Sequence, residues 1–161
     1  MTPSTQHRDP IARALSLGTD GRSVKAWADV LSTVPLFTGL SQRHLRRVAG
    51  QATMKRYAPY TAIVRVDDPG DAFYVILDGS AAVRKTGKRS VKLRRGDFFG
   101  ELALLDAAPR TATVEAESEV LTMRLGRTAF QKVLESEPKV ALAMLRTLAA
   151  RMRESAPSAV D

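Results

Sequence analysis

Apolar positions along this chain keep two different periods. From Val24 to Leu31, and on to Val34, Trp27, Val30, Leu31 and Val34 recur at helical spacing, which predicts a helix with Trp27 packed into a core. Pro35-Leu36-Phe37-Thr38-Gly39-Leu40 then reads as a turn with buried apolar anchors, and Ser41 as the N-cap of a helix carrying Leu45, Val48 and Ala49. From Gln51 the grammar changes. Met54–Tyr57, Ala62–Val66, Ala72–Leu77, Ala81–Lys85, Val91–Arg94, Thr111–Ala116 and Val120–Leu125 are short strand candidates, set apart by Ala58-Pro59, Asp67-Asp68-Pro69-Gly70, Asp78-Gly79 and Thr86-Gly87. Many short strands at a spacing of roughly 8–12 residues predict a sandwich or barrel of jelly-roll type. After Leu125 the helical period returns in Thr128–Leu134. A longer helix follows from Pro138, a residue suited to a first turn, with a stripe of Val140, Leu142, Met144, Leu145, Leu148, Ala149 and Met152.

The stretch Phe98-Phe99-Gly100-Glu101-Leu102-Ala103-Leu104-Leu105 through Pro109-Arg110-Thr111-Ala112-Thr113-Val114 carries the candidate chemistry. It reads as a strand end, one helical turn, a short loop and a new strand. Gly100 permits a tight turn and a close backbone approach. A turn starting at Glu101 would leave N–H groups unpaired at Leu102 and Ala103, an arrangement that attracts phosphate. Arg110, across the loop, can place a charge-assisted fork on a phosphate oxygen. Glu101 repels a phosphate but accepts hydrogen bonds from hydroxyls. A sugar phosphate suits all three groups together.

These residues closely resemble the phosphate-binding cassette of cyclic-nucleotide-binding domains, as found in catabolite-activator-type regulators, cyclic-nucleotide-dependent kinases and cyclic-nucleotide-gated channels. The resemblance runs from about Leu31 to about Arg153. Pro35-Leu36-Phe37 followed by Gly39-Leu40 and a helix is similar to the family's entry into its barrel. It implies a mixed α and β fold: a β-roll, a jelly-roll-like antiparallel barrel, flanked by N-terminal helices and two C-terminal helices. It implies that Glu101 binds the ribose 2′-hydroxyl, that the backbone of Gly100, Leu102 and Ala103 contacts sugar and phosphate, and that Arg110 pairs with the exocyclic phosphate oxygen beside Thr111. Ser155 falls where catabolite-activator-type proteins offer a hydroxyl to the base, so it is a candidate base contact. Kinase cassettes selective for cyclic AMP usually carry Ala after the arginine and those selective for cyclic GMP usually Thr, while bacterial cyclic-AMP binders also carry Ser or Thr. Thr111 therefore leaves both ligands open. The helix from Pro138 to Arg153 corresponds to the family's mobile C-terminal helix, which lids the ligand and in dimeric members pairs with its twin.

Two places depart from the family pattern or extend it. Where the family often reads Glu-Gly-Asp-x-Gly-Asp, this chain has Val66-Asp67-Asp68-Pro69-Gly70-Asp71, which puts the loop's local hydrogen bonding in question. Gly79, in Leu77-Asp78-Gly79, is expected to serve a turn, with a close approach to the ribose as its second reading. Arg84, Lys85, Lys88, Arg89, Lys92, Arg94 and Arg95 form a basic cluster in a chain of net charge +8. It reads first as a solvated hairpin. Nucleic acid, anionic lipid, an acidic partner and steering of an anionic ligand are the alternatives. No aromatic interleaves with the charges, which argues against a base-stacking surface and against direct nucleic-acid binding.

Composition excludes more than it assigns. The 161 residues hold no cysteine, which removes disulfides, thiolate chemistry and cysteine metal sites. No apolar run reaches the ~18 residues of a membrane span, and the N-terminus lacks a signal peptide's apolar core; a cytoplasmic protein is expected. Its two histidines are His7 and His44, without metal-ligand spacing. No triad, Walker loop or dinucleotide fingerprint is present, and Glu115, Glu117 and Glu119 read as solvated. Residues 1–22 are expected to be a disordered tail, with a short docking helix over Ile11–Leu17 as the alternative; 23–155 a single domain; 156–161 a short tail. The expected function is a non-catalytic receptor for cyclic AMP or cyclic GMP, with no catalytic residue, metal or cofactor, acting on a protein partner or an output domain. The chain is expected to be either a stand-alone sensor or part of a longer protein. A ligand-free scaffold and a basic nucleic-acid module with a vestigial cassette are the rival readings.

Overall fold

The computed structural model describes residues 9–16 and 24–155. Two compact units divide the chain: Met1–Gly50 with Lys132–Asp161, and Gln51–Gln131. Helices from both ends of the sequence pack together, while the strands between them close a core of their own.

In the helical unit, the stretch expected as a tail holds a helix, α1 (Pro10–Ser16), with Ile11 and Ala14 buried. Asp9 caps it, its Oδ1 accepting from the Ile11 and Ala12 N–H groups at 2.9 and 3.2 Å. The remainder of residues 1–22, including Leu17, and residues 156–161 lie outside the described residues. Helix α1 packs on α2 (Val24–Leu31), which buries Ala26, Trp27, Ala28, Val30 and Leu31 and in turn packs on α3 (Gln42–Ala49). Ser41 caps α3 as expected, accepting from the His44 N–H at 3.2 Å. The Pro35–Phe37 turn buries Leu36 and Phe37 and lies against α5 (Pro138–Ser155). Glu137, just before α5, meets Arg43 and His44 of α3, each at 3.5 Å. Of the apolar stripe expected on α5, Val140 and Met144 are buried, whereas Leu142, Leu145 and Met152 are exposed.

The second unit is the β-roll. Strands β1 (Thr53–Tyr57), β2 (Ala62–Val64), β3 (Ala72–Asp78), β4 (Ala81–Arg84), β5 (Val91–Leu93), β6 (Phe98–Phe99), β7 (Thr113–Ala116) and β8 (Val120–Gly126) form two four-stranded antiparallel sheets, ordered β1-β8-β3-β6 and β2-β7-β4-β5. Helix α4 (Arg127–Ser136) follows. Strand β3 is the apolar hub: every residue from Ala72 to Leu77 is buried. Ala72, Tyr74 and Ile76 join Val114 and Ala116 of β7, Val120 of β8, and Ile63 and Val64 of β2 in the roll's core. Burying side chains of this size stabilises by about 1.5–3 kcal/mol each, which is what holds two short-stranded sheets together.

Several strands end earlier than their sequence pattern. Val66 leaves β2, and its N–H donates instead to Thr113 Oγ1 at 3.0 Å. Thr111 and Ala112 lie in a bend before β7. The two turns at one end of the roll lock together: Glu117 N–H donates to Ser80 O at 2.9 Å and Ser80 N–H to Ser118 Oγ at 3.1 Å. Gly79 sits in that lock at φ +85°, where a Cβ would run into the Glu119 carbonyl. This accounts for the glycine as a turn residue. Gly79→Ala should therefore destabilise the protein by about 2 kcal/mol or more, from left-handed strain plus the clash. Urea denaturation measures it; a loss below about 0.5 kcal/mol would contradict the packing.

Candidate functional site

The segment after β6 folds as expected in outline and differs in detail. Gly100 adopts φ 78° and ψ 18°, the left-handed conformation that turns the chain out of β6. The expected helical turn follows over Glu101–Leu104, in 3-10 form. Its tighter hydrogen bonding consumes a donor expected to be unpaired: Ala103 N–H donates to Gly100 O at 3.0 Å. Leu105 and Asp106 N–H groups both donate to Leu102 O at 3.0 Å, and Asp106 Oδ1 accepts from Ala108 N–H at 2.6 Å. The Asp106 turn delivers the chain to Pro109 and Arg110.

Arg110 is the buried charge of the roll, its side chain only 8% exposed. One terminal nitrogen, Nη2, donates to Ala72 O at the start of β3, at 2.6 Å. The other, Nη1, lies where a Gly100 Cβ would stand. Gly100 is thus required twice, by its backbone conformation and by the guanidinium beside it. Asp71 Oδ1 is 3.8 Å from Arg110 Nη2, and Asp71 Oδ2 is 3.7 Å from Arg124 Nη2, both beyond hydrogen-bond range. Arg110 Nε is buried and meets no acceptor among the described residues. An anionic oxygen brought to it would replace a desolvation cost with a charge-assisted hydrogen bond.

The loop that departs from the family pattern is tied to this segment along its backbone. Asp67 N–H donates to Arg110 O and Arg110 N–H to Asp68 O, both at 2.8 Å, and Gly70 N–H donates to Ala108 O at 3.2 Å. Pro69 and Pro109 face each other in an antiparallel bridge. Main-chain groups make these bonds, so Val66 in place of the usual glutamate leaves them intact.

One cavity of about 360 Å³ is lined by Gly100, Glu101, Leu102, Ala103, Arg110 and Thr111 together, a size within the usual range for small-molecule sites. Gly70, Asp106, Ala108 and Pro109 complete its wall. Asp106 and Gly70 were not singled out from sequence; the Asp-Pro-Gly turn was the only signal for the latter. Glu101 is half-buried, with Oε2 fully so. A second cavity of about 490 Å³ shares Arg110 and is lined also by Lys55, Asp71, Tyr74 and Arg124. Near its wall, burial above all, with Tyr74 beside it, pushes the Tyr57 phenol well above its ordinary pKa and keeps it neutral. Ser155 belongs to the helical unit: it is the last residue of α5, exposed, its hydroxyl donating to Met152 O at 3.2 Å. Among the described residues no cluster of three or more His, Asp or Glu is placed to hold a metal, and no helix is long and apolar enough to cross a membrane.

Fold and cavity are those of a β-roll built around one buried arginine. The chain belongs to the cyclic nucleotide-binding domain family: residues 54–137, about half of its length, match that family's model. It is 40% identical over 112 residues to a cAMP-dependent protein kinase regulatory subunit of Colletotrichum orbiculare, covering 68% of this chain and 29% of that one. It is 42% identical over 106 residues to that of Aspergillus fumigatus, covering 65% and 26%. The chain thus spans less than a third of the length of these curated relatives. Among solved structures it resembles the N-terminal domain of a transcriptional regulator from Streptomyces coelicolor A3(2), with a TM-score of 0.72 and 33% identity over 83% of this chain and 99% of that one. It also resembles the regulatory domain of Toxoplasma gondii PKA solved with cAMP, with a TM-score of 0.62 and 27% identity over 81% and 50%.

The contact between Gly100 and Arg110 is directly testable. Gly100→Ala should cost more stability than the roughly 1–2 kcal/mol of left-handed strain. In an Arg110→Ala background the same change should cost less, the strain and the Ala72 carbonyl 2.9 Å from the new Cβ remaining, a coupling of neighbours that chemical denaturation of the four proteins resolves. Additive costs would show that the guanidinium does not occupy the space in front of Gly100.

Proposed function

We propose that this chain is a non-catalytic receptor for a cyclic purine mononucleotide, cyclic AMP in the first place. The observation that carries the reading is the meeting of Glu101 and Arg110 on one cavity. A phosphate oxygen at Arg110 Nε completes a buried cation that already holds the Ala72 carbonyl with Nη2. The Glu101 carboxylate accepts from the ribose 2′-hydroxyl. Gly100 and Leu102 supply backbone contacts to sugar and phosphate, Ala103 lines the same wall with its N–H already spent on Gly100 O, and Thr111 adds its hydroxyl. Kinship with kinase regulatory subunits supports cyclic AMP and a protein partner or output domain. Thr111, exposed on the cavity wall, supports cyclic GMP as the second reading, since its hydroxyl can reach the guanine amino group when the base is syn.

Signalling is a population shift in this reading. Ligand favours the state in which the cassette is closed and the Pro138–Arg153 segment of α5 is docked, with Ser155 near the base, and a cytoplasmic partner reads the difference. The chemistry stays at binding in this reading, with Glu101 and Arg110 holding the ligand.

Thermal unfolding with cyclic AMP, cyclic GMP and 5′-AMP in parallel tests the proposal. Ligand at ~100 times its dissociation constant adds about 2.7 kcal/mol, or roughly 5–11 °C for a protein of this size. A shift with a cyclic nucleotide but not with 5′-AMP is expected; no shift with any of them at millimolar concentration would overturn the receptor reading. By calorimetry, Arg110→Ala should lose roughly 1.5–3 kcal/mol of binding. An unchanged affinity in a variant that still folds would remove the phosphate from Arg110.

A further inference from the structure

The charge of this chain is concentrated in one place. Of its 25 Lys and Arg residues, seven lie between Arg84 and Arg95, a stretch with no acid, and they leave 18 basic against 17 acidic residues in the rest. Nearly all of the net +8 therefore sits on one hairpin. The fold holds it outward. Strand β5 is the edge of its sheet, paired only with β4. The turn between them closes with Lys88 N–H donating to Lys85 O at 3.1 Å, and nothing stands within 4 Å of the position a Cβ would take at Gly87. Lys85, Lys88, Arg89, Lys92 and Arg94 are exposed; Arg84 is drawn to Glu115 at 3.8 Å. Val91, the first residue of β5 and within this stretch, is 58% exposed.

We infer that this hairpin is a docking surface for an anionic lipid membrane. Five exposed cations around a free tip match a polyanionic plane, to which each contributes roughly a fivefold gain in partition. Val91, exposed on β5, gives the hairpin an apolar group for the headgroup boundary. Nucleic acid fits less well. The hairpin presents no helix to a groove, and the nearest aromatics, Phe98 and Phe99, are half-buried and spent on Phe73 and Tyr74, at centroid distances of 6.1 and 5.0 Å. The site is separate from the ligand cavity, so the inference stands or falls independently of the nucleotide.

Vesicles of phosphatidylcholine with and without phosphatidylserine test it by co-sedimentation at low and physiological salt. The full chain should bind the phosphatidylserine vesicles, less at higher salt, and leave the neutral ones. A triple reversal, Lys88→Glu, Arg89→Glu and Lys92→Glu, should weaken partition about a hundredfold or more. A triple reversal of exposed cations elsewhere, Lys25→Glu, Arg46→Glu and Lys132→Glu, has the same net charge and should weaken it far less. Circular-dichroism melting of each variant checks that it folds, and Lys88→Gln, Arg89→Gln and Lys92→Gln repeats the test without new acids. Equal losses in the two reversals would reduce the effect to net charge and overturn the inference. So would absence of binding at low salt, or tighter binding to an RNA or DNA duplex than to the vesicles.

Discussion

A guanidinium buried inside an apolar roll is the constraint on which this structure turns. Removing an arginine from water without a full set of partners costs several kcal/mol. Arg110 recovers part of that through its short bond to Ala72 O, which is charge-assisted. That carbonyl belongs to the first residue of the most deeply buried strand in the roll. The arginine is therefore fixed by the rigid centre of the core and not by the loop that carries it. Everything around it follows from the space it takes: the residue before the turn must be glycine, and the turn must bend away at once.

The two loops that frame Arg110 show how a rigid position is made from irregular chain. Neither 65–71 nor 105–110 has a ladder of its own. They satisfy each other, main chain to main chain, through the paired bonds of Arg110 with Asp67 and Asp68 and of Gly70 with Ala108. Because backbone groups do this, side-chain identity in the loop is free to drift, and Val66 can stand where the family pattern often has a glutamate. The cost appears elsewhere, in the positive φ of Asp67, 71°, a conformation that Asp tolerates better than most residues.

Local signals made much of this readable from sequence. The strand boundaries came from turn residues, the α3 cap from Ser41, and the cassette from Gly100, Glu101 and Arg110 at fixed spacing. What stayed hidden depends on contacts far apart in the chain. Nothing near Arg110 in sequence announces Ala72 as its acceptor, 38 positions away. The helix α1 lay inside a stretch whose composition suggests a tail, because seven residues are too few for propensity to decide and burial of Ile11 and Ala14 decides instead. A helical turn at Glu101 is legible in the sequence, but its 3-10 form is not. The crowding of Gly100 against Arg110, which sequence cannot show, accompanies the tighter geometry.

Asp71 completes the argument about charge. It stands between Arg110 and Arg124, and a pair of ordinary salt bridges would make the buried cation a settled part of the core. The two pairs are long, at 3.8 and 3.7 Å, without a hydrogen bond in either, and Asp71 itself is 64% exposed. An ion pair with one partner that open to water contributes little. Arg110 is consequently held in place by a neutral carbonyl while its charge is only weakly compensated. Position and compensation are supplied by different groups, so an anion entering beside Glu101 can take up the charge without first having to break the bond that orients the side chain.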